Sequence, residues 1–137
     1  MLVFRKIKSE DLDIIYRDKT LRPLLTAGIP DRYQRFAVVI ERDKRITGGA
    51  SGYRIDDRAY CNCIVIKDPE DEAVLFDGLI RSLIYVLDRE EVKEIYTAGG
   101  IYQQRYERIG FKPVKPEARP YNLMIDIGDF FNGKSCH

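Results

Sequence analysis

The stretch Ile64-Val-Ile-Lys-Asp-Pro-Glu-Asp-Glu-Ala-Val-Leu-Phe-Asp-Gly-Leu-Ile-Arg-Ser-Leu-Ile-Tyr-Val-Leu-Asp-Arg89 decides the fold. Asp68 stands where an N-cap stands, Pro69 occupies the first helical position, and Glu70, Asp71 and Glu72 fill the first turn. Ala73, Phe76, Leu79, Ile80, Leu83, Ile84 and Leu87 then recur at three- and four-residue steps. They give the helix one apolar face, which Val74, Leu75 and Val86 widen. A helix this apolar must be covered. The segments on either side, Tyr60 to Ile66 and Lys93 to Thr97, read as strands, so the centre is a strand–helix–strand crossover. In α/β proteins a helix start beside a strand end is the usual place for a ligand. Here that place carries acids rather than glycines.

Outward from this centre, Leu2 to Ile7 reads as a first strand. A helix follows from Ser9 as N-cap to about Lys19, with Leu12, Ile15 and Tyr16 as its apolar side. Pro23, Gly28 and Pro30 break the stretch from Thr20 to Arg35, where Leu21, Leu24, Leu25 and Ile29 form a short helix or turn. Arg35 to Glu41, Ile46 to Ile55 and Arg58 to Ile66 read as three antiparallel strands, joined by turns at Asp43-Lys44 and Asp56-Asp57. Beyond Thr97, Ile101 to Ile109 is a short helix closed by Gly110. A strand starts at Phe111, interrupted by Pro113, Pro116 and Pro120, and a last strand runs from Tyr121 to Ile127. This order gives an α/β class with a mixed, mostly antiparallel sheet of six to seven strands and helices on its faces.

Composition narrows the function classes. With 137 residues and 45% hydrophobic content, the chain suits one ordered domain, taken as 1–131, with 132–137 as a loose tail. Its formal net charge of +1, with both signs interleaved, gives no electrostatic reason for nucleic acid or an anionic membrane as partner. The apolar runs are too short to span a bilayer, and the amino terminus lacks the order of a signal peptide. Three cysteines, two of them in one strand, fit reduced thiols in a cytoplasmic setting.

Three segments resemble one family. Tyr106-Glu-Arg-Ile-Gly-Phe111 is similar to the Tyr-Glu-Lys-Leu-Gly-Phe signature of the GCN5-related N-acetyltransferases (GNAT). Phe4 to Leu12 looks like that family's opening strand and helix, and Ile46-Thr-Gly-Gly-Ala50 like its third strand. The element order fits over nearly the whole chain. The resemblance implies an acyl-CoA N-acyltransferase fold whose fourth and fifth strands splay, with the pantetheine of acetyl-CoA added to the fourth strand like a further strand. Here that strand offers Ile64, Val65 and Ile66. It also implies a pyrophosphate on bare N–H groups at the following helix start, in an Arg/Gln-x-x-Gly-x-Gly/Ala loop.

That loop is missing. Pro69 to Gly78 holds a single, late glycine, and at about 4 Å a carboxylate against a phosphate charge costs roughly 1 to 4 kcal/mol. The segment therefore reads equally as a self-capped structural helix. If phosphates bind, Lys67, Arg81, Arg105 and Arg108 are the candidate cations. The resemblance makes Tyr106 the acid for the leaving thiolate, against a purely structural tyrosine. Tyr102, one turn earlier, narrows the slot. The asparagine that members often carry near Gly99 is absent from that stretch, and the fourth strand has no carboxylate to serve as base. Cys61 and Cys63, expected on one strand face, read as small buried residues rather than metal ligands or nucleophiles.

Two functions stand. One is an N-acetyltransferase moving an acetyl or acyl group from acyl-CoA to a small-molecule or peptide amine. The other is a degenerate domain of the same fold that binds without transfer. A homodimer paired through Tyr121, Leu123 and Ile125 is also open.

Overall fold

The computed structural model describes residues 1–27, 32–115 and 120–133. Ile29, Pro30, Pro116 and the end of the tail, from Lys134 to His137, lie outside them. In order come β1 (Leu2–Lys6), α1 (Asp11–Arg17), α2 (Pro23–Thr26), β2 (Gln34–Arg42), β3 (Arg45–Ile55) and β4 (Arg58–Ile66). A 3₁₀ turn (Pro69–Asp71) leads into α3 (Glu72–Arg89), then β5 (Glu94–Thr97) and a second 3₁₀ turn (Gly100–Tyr102). The chain continues with α4 (Gln103–Ile109), β6 (Lys112–Pro113), β7 (Leu123–Asp126) and α5 (Ile127–Phe131). The seven strands form one sheet in the order β1-β2-β3-β4-β5-β7-β6. Only β4 and β5, the pair joined through α3, are parallel. The expected mixed α/β sheet with helices on both faces is the observed one.

α3 supplies the largest part of the core. Leu75, Phe76, Leu79, Ile80, Leu83, Ile84 and Leu87 are buried against Val38, Ala50, Ala59 and Ile95 on the sheet. Its apolar face lies one turn later than its first apolar residues suggest, since Ala73 and Val74 are exposed. The helix can sit close to the sheet because position 78 is glycine; a Cβ there would lie 2.5 Å from the Phe4 ring. On the other sheet face, Ile15 of α1, Leu24 of α2 and Leu21 from the turn between them cover Val39.

Several local expectations are corrected. Ser9 does not cap α1; instead the buried Asp11 accepts from the Lys8 N–H at 2.8 Å while Arg5 grips both its carboxylate oxygens. Of the three residues expected on the apolar side of α1, Ile15 is buried and Leu12 and Tyr16 are exposed, because α2 rather than a second sheet face lies under this short helix. Asp68 makes no capping bond to α3; the guanidinium of Arg42 draws its carboxylate and that of Asp71 toward β2, at 3.4 and 3.3 Å. The last strand stops at Asp126, whose side chain accepts from the Asp129 N–H and starts α5. β7 lies between β5 and β6, so β6 already occupies the outer side of Leu123 and Met124 where a dimer partner was expected.

Cys61 and Cys63 are not on one face. Ser51 pairs with Cys63 and Gly52 with Cys61, which leaves Asn62 as an extra residue in β4. Such a bulge reverses the alternation beyond it. Cys61, Ile64 and Ile66 therefore pack toward α3, while Cys63 and Val65 pack toward α1 and α2. At the bulge the strands come so close that a Cβ on Gly52 would lie 1.9 Å from the Tyr60 carbonyl oxygen. Gly52→Ala is expected to lower the unfolding free energy by about 1–3 kcal/mol, as overpacking does, measured by urea titration. Unchanged stability would mean the strands have slack at this point.

Candidate functional site

β4 and β5 pair over four positions, from Arg58 opposite Glu94 to Cys61 opposite Thr97, and there β5 ends. β4 runs on to Ile66 with β3 along one side and no strand, among the described residues, along the other. The Lys67 N–H donates to the Thr47 carbonyl in β3 at 2.9 Å, and the Val65 carbonyl faces Gly48. By strand alternation the main-chain groups of Ile64 and Ile66 then point to the open side. A cleft of about 280 Å³ lies in this fork, lined by Cys61 to Ile64, Thr97 to Tyr102 and Tyr106.

α4 carries Tyr106 into the fork. Its ring meets Phe76 edge-on at 4.9 Å and Phe111 at the same distance, and only 2% of the residue is exposed. Its hydroxyl sits between Thr97 and Cys61, the last β4–β5 pair. Burial, then the neighbouring Cys61, pushes the phenol well above its ordinary value of 10, while the hydrogen bond to Thr97 pulls it down. Burial likewise pushes the Cys61 thiol up to about 12, so it is no thiolate nucleophile at neutral pH. Tyr102 stacks on Phe76 at 4.5 Å, and burial, then the charge of Glu72, raises its phenol.

A second cleft, of about 630 Å³, adjoins the first at Gly100 and Ile101 and runs between α3 and α4. Arg105 and Arg108 line it, with Ala73 and Asp77 opposite. One guanidinium nitrogen of Arg105, Nη1, is buried without a hydrogen-bond partner among the described residues. Such a donor is costly to leave unmade. The other two candidate cations line neither cleft and are engaged in ion pairs. Lys67 reaches Asp18 at 2.7 Å, and Arg81 pairs with Asp77 at 3.0 Å beside the Phe130 ring. Of the three pantetheine candidates, Ile64 lines the fork, Ile66 extends its open edge, and Val65 faces α1 and α2.

Sequence reasoning missed Asn122. Its side chain accepts from the Gly99 N–H at 2.8 Å and donates to Gln103 at 2.9 Å, while its own N–H donates to the Thr97 carbonyl at 3.1 Å. It pins the 98–103 segment that leads from β5 into α4. An asparagine thus stands at Gly99 after all, but it arrives from beside β7, and nothing in its local sequence signals this.

The overall arrangement of strands and helices recurs in known structures. An acetyltransferase from Staphylococcus aureus Mu50 superposes with a TM-score of 0.70 at 11% identity, covering 93% of this chain and 99% of that one. The chain has the GNAT fold. The same likeness extends to the aminoglycoside 6'-N-acetyltransferase of Enterococcus faecium (TM-score 0.64, 11% identity, 91% and 97% covered). It extends also to the ribosomal-protein-S18-alanine N-acetyltransferase of Escherichia coli (0.62, 16%, 90% and 91%). No protein-family model and no curated protein sequence matches the chain. The shared GNAT architecture is therefore held by a sequence only 11–16% identical to those of the three structures named.

The raised Tyr106 phenol has a thermodynamic consequence. A tyrosine whose folded pKa exceeds its unfolded one adds stability below pH about 10 that is lost as pH rises through the folded value. Urea midpoints of the wild type should fall between pH 10 and 12, and Tyr106→Phe should flatten that slope. An equal slope in both proteins would place the phenol in water.

Proposed function

We propose that the chain is an acyl-CoA-dependent N-acyltransferase that acylates an amine. The observation that carries this reading is the fork itself: β4 leaves β5 at Cys61 and Thr97 with the Tyr106 hydroxyl at the point of parting. Acyl-CoA fits the residues present. The free main-chain edge at Ile64 and Ile66 suits the amides of a pantetheine arm. The α3–α4 cleft offers guanidinium donors, including the unpartnered Arg105 nitrogen, for phosphate oxygens. This assigns the phosphates to Arg105 and Arg108 on α4 and leaves Lys67 and Arg81 to their ion pairs. The acids that would repel phosphate at the start of α3 are partly neutralised, since Arg42 engages Asp68 and Asp71.

Acyl-CoA supplies the acyl group as a thioester, so that the amine forms the N–C bond, the C–S bond breaks, one proton leaves the nitrogen and one joins the sulfur. Tyr106 holds the second proton. Its raised pKa keeps it protonated at neutral pH, and its hydroxyl lies where the fork begins. No carboxylate lines the smaller cleft among the described residues, so the nitrogen's proton passes to water. Acceptors in the two named enzymes of this fold are an aminoglycoside and a ribosomal-protein alanine; here too an amine is the acceptor class. The donor and the buried Cys61 thiol suit the cytoplasm.

The lack of a carboxylate in the smaller cleft also favours a second reading, a binding module without transfer. Calorimetry and turnover separate the two. Acetyl-CoA should bind, and Arg105→Ala with Arg108→Ala should weaken it at least tenfold while a phosphate-free pantetheine thioester is little affected. Tyr106→Phe should lower kcat about 10²-fold with donor affinity nearly unchanged. Binding without any amine acylation would leave the module reading, and no heat at millimolar acetyl-CoA would end the transferase reading.

A further inference from the structure

Four tyrosines form a row on the sheet face turned away from α3. Tyr33 stacks on Tyr53 at 5.4 Å, Tyr53 on Tyr60 at 5.2 Å and Tyr60 on Tyr96 at 5.3 Å, with interplanar angles of 13°, 19° and 20°. A fifth, Tyr121, leans on Tyr60 at 5.1 Å and shares a hydrogen bond with the Tyr53 hydroxyl at 3.2 Å. Tyr53 opposes Tyr60, and Tyr60 opposes Tyr96, in the strand register. Cross-strand aromatic pairs stabilise any sheet. All five residues are nonetheless partly exposed, and the row ends at a particular place. Tyr60 and Tyr96 come one residue before Cys61 and Thr97, where the fork opens.

The α3 side of the fork is lined by Tyr106, Tyr102 and Phe76, and its clefts are the ones the donor takes in the transferase reading. An amine attacking a thioester held there is left the opposite face, across the row. The geometry points to the tyrosine row as the recognition surface for the acceptor, and to a singly charged primary amine on an aromatic body as the class it takes. This deepens the transferase reading and rests on it.

The chemistry around the row supports that class. The row already holds a cation, because the Arg32 guanidinium lies 4.9 Å from the Tyr33 ring centroid. Half-exposed phenols offer aromatic contact together with hydroxyls. A polyamine or aminoglycoside would need several uncommitted carboxylates. Glu94, which accepts from the Tyr96 hydroxyl at 3.3 Å, is already paired with Arg58 at 3.2 Å. At the far end of the row Arg32 and Arg54 line one cavity with Tyr33 and Asp56, and Arg54 is itself paired with Glu90 at 3.6 Å. The row thus offers ring faces and phenol hydroxyls rather than a cluster of open carboxylates, which suits one ammonium on a flat, apolar carrier.

Phenethylamine is the probe. With acetyl-CoA as donor, its kcat/KM should exceed that of spermidine and of a lysyl peptide at least tenfold. Tyr53→Leu should raise the phenethylamine KM about tenfold or more, whereas Tyr53→Phe, which keeps the ring, should change it less than threefold. Acetyl-CoA affinity should hold in both. Saturation-transfer NMR of phenethylamine on the wild type needs no donor and no variant. It should show transfer from tyrosine ring protons, and its absence would overturn the inference, as would a preference for spermidine or the peptide. If phenethylamine binds and acetyl-CoA does not, the transferase reading falls and the amine site stands. If acetyl-CoA binds and phenethylamine does not, the amine site falls alone.

Discussion

The parting of β4 from β5 at Cys61 and Thr97 is the constraint on which the rest of the molecule depends. Parallel strands joined by a crossover helix ordinarily stay paired, and each main-chain hydrogen bond forgone costs about 1 kcal/mol. β4 forgoes them because the extra residue at Asn62 bends it and turns Ile64 and Ile66 into the α3 core. β5 stops short, and the segment after it is tied by Asn122 to the chain beside β7. The same bend that spoils the sheet therefore fills the core. The result is a sheet with a slot in it, roofed on one side by Tyr106 and open along a main-chain edge.

The large elements were legible because their signals are local and repeat. The 3.6-residue recurrence from Leu75 to Leu87 survives any detail of packing, and Gly110 ends α4 with the positive φ that suits glycine. The three family-like segments lie in elements whose order the structure reproduces. The bulge was not legible. Tyr60-Cys-Asn-Cys-Ile-Val-Ile reads as plain alternation, and whether a residue is supernumerary depends on the partner strand, not on the strand itself. For the same reason Cys61 and Cys63 were placed together and then found on opposite faces. Asn122 and α5 escaped because a polar residue after Tyr121 and a helix of five residues leave no periodic trace.

Charges show the same limit. The sequence displays where cations are but not which acids reach them. Asp18 takes Lys67, and Asp77, one turn before Arg81 on the same helix, takes that guanidinium. The pairing that matters most for the cleft, Arg42 with Asp68 and Asp71, joins the end of β2 to the start of α3 across 26 and 29 residues. What remains on the α4 side is Arg105, whose buried nitrogen has no acceptor among the described residues. A phenolic row on one face and guanidiniums on the other give the two sides of the slot different chemistry.

The clasp formed by Arg42 bears on what the turn before α3 can tolerate. The guanidinium faces two of the acids there, Asp68 and Asp71, and ties them to the end of β2. A turn anchored by charge from a neighbouring strand keeps its path without the compact backbone of a glycine-rich loop, so it has room for side chains that such a loop excludes.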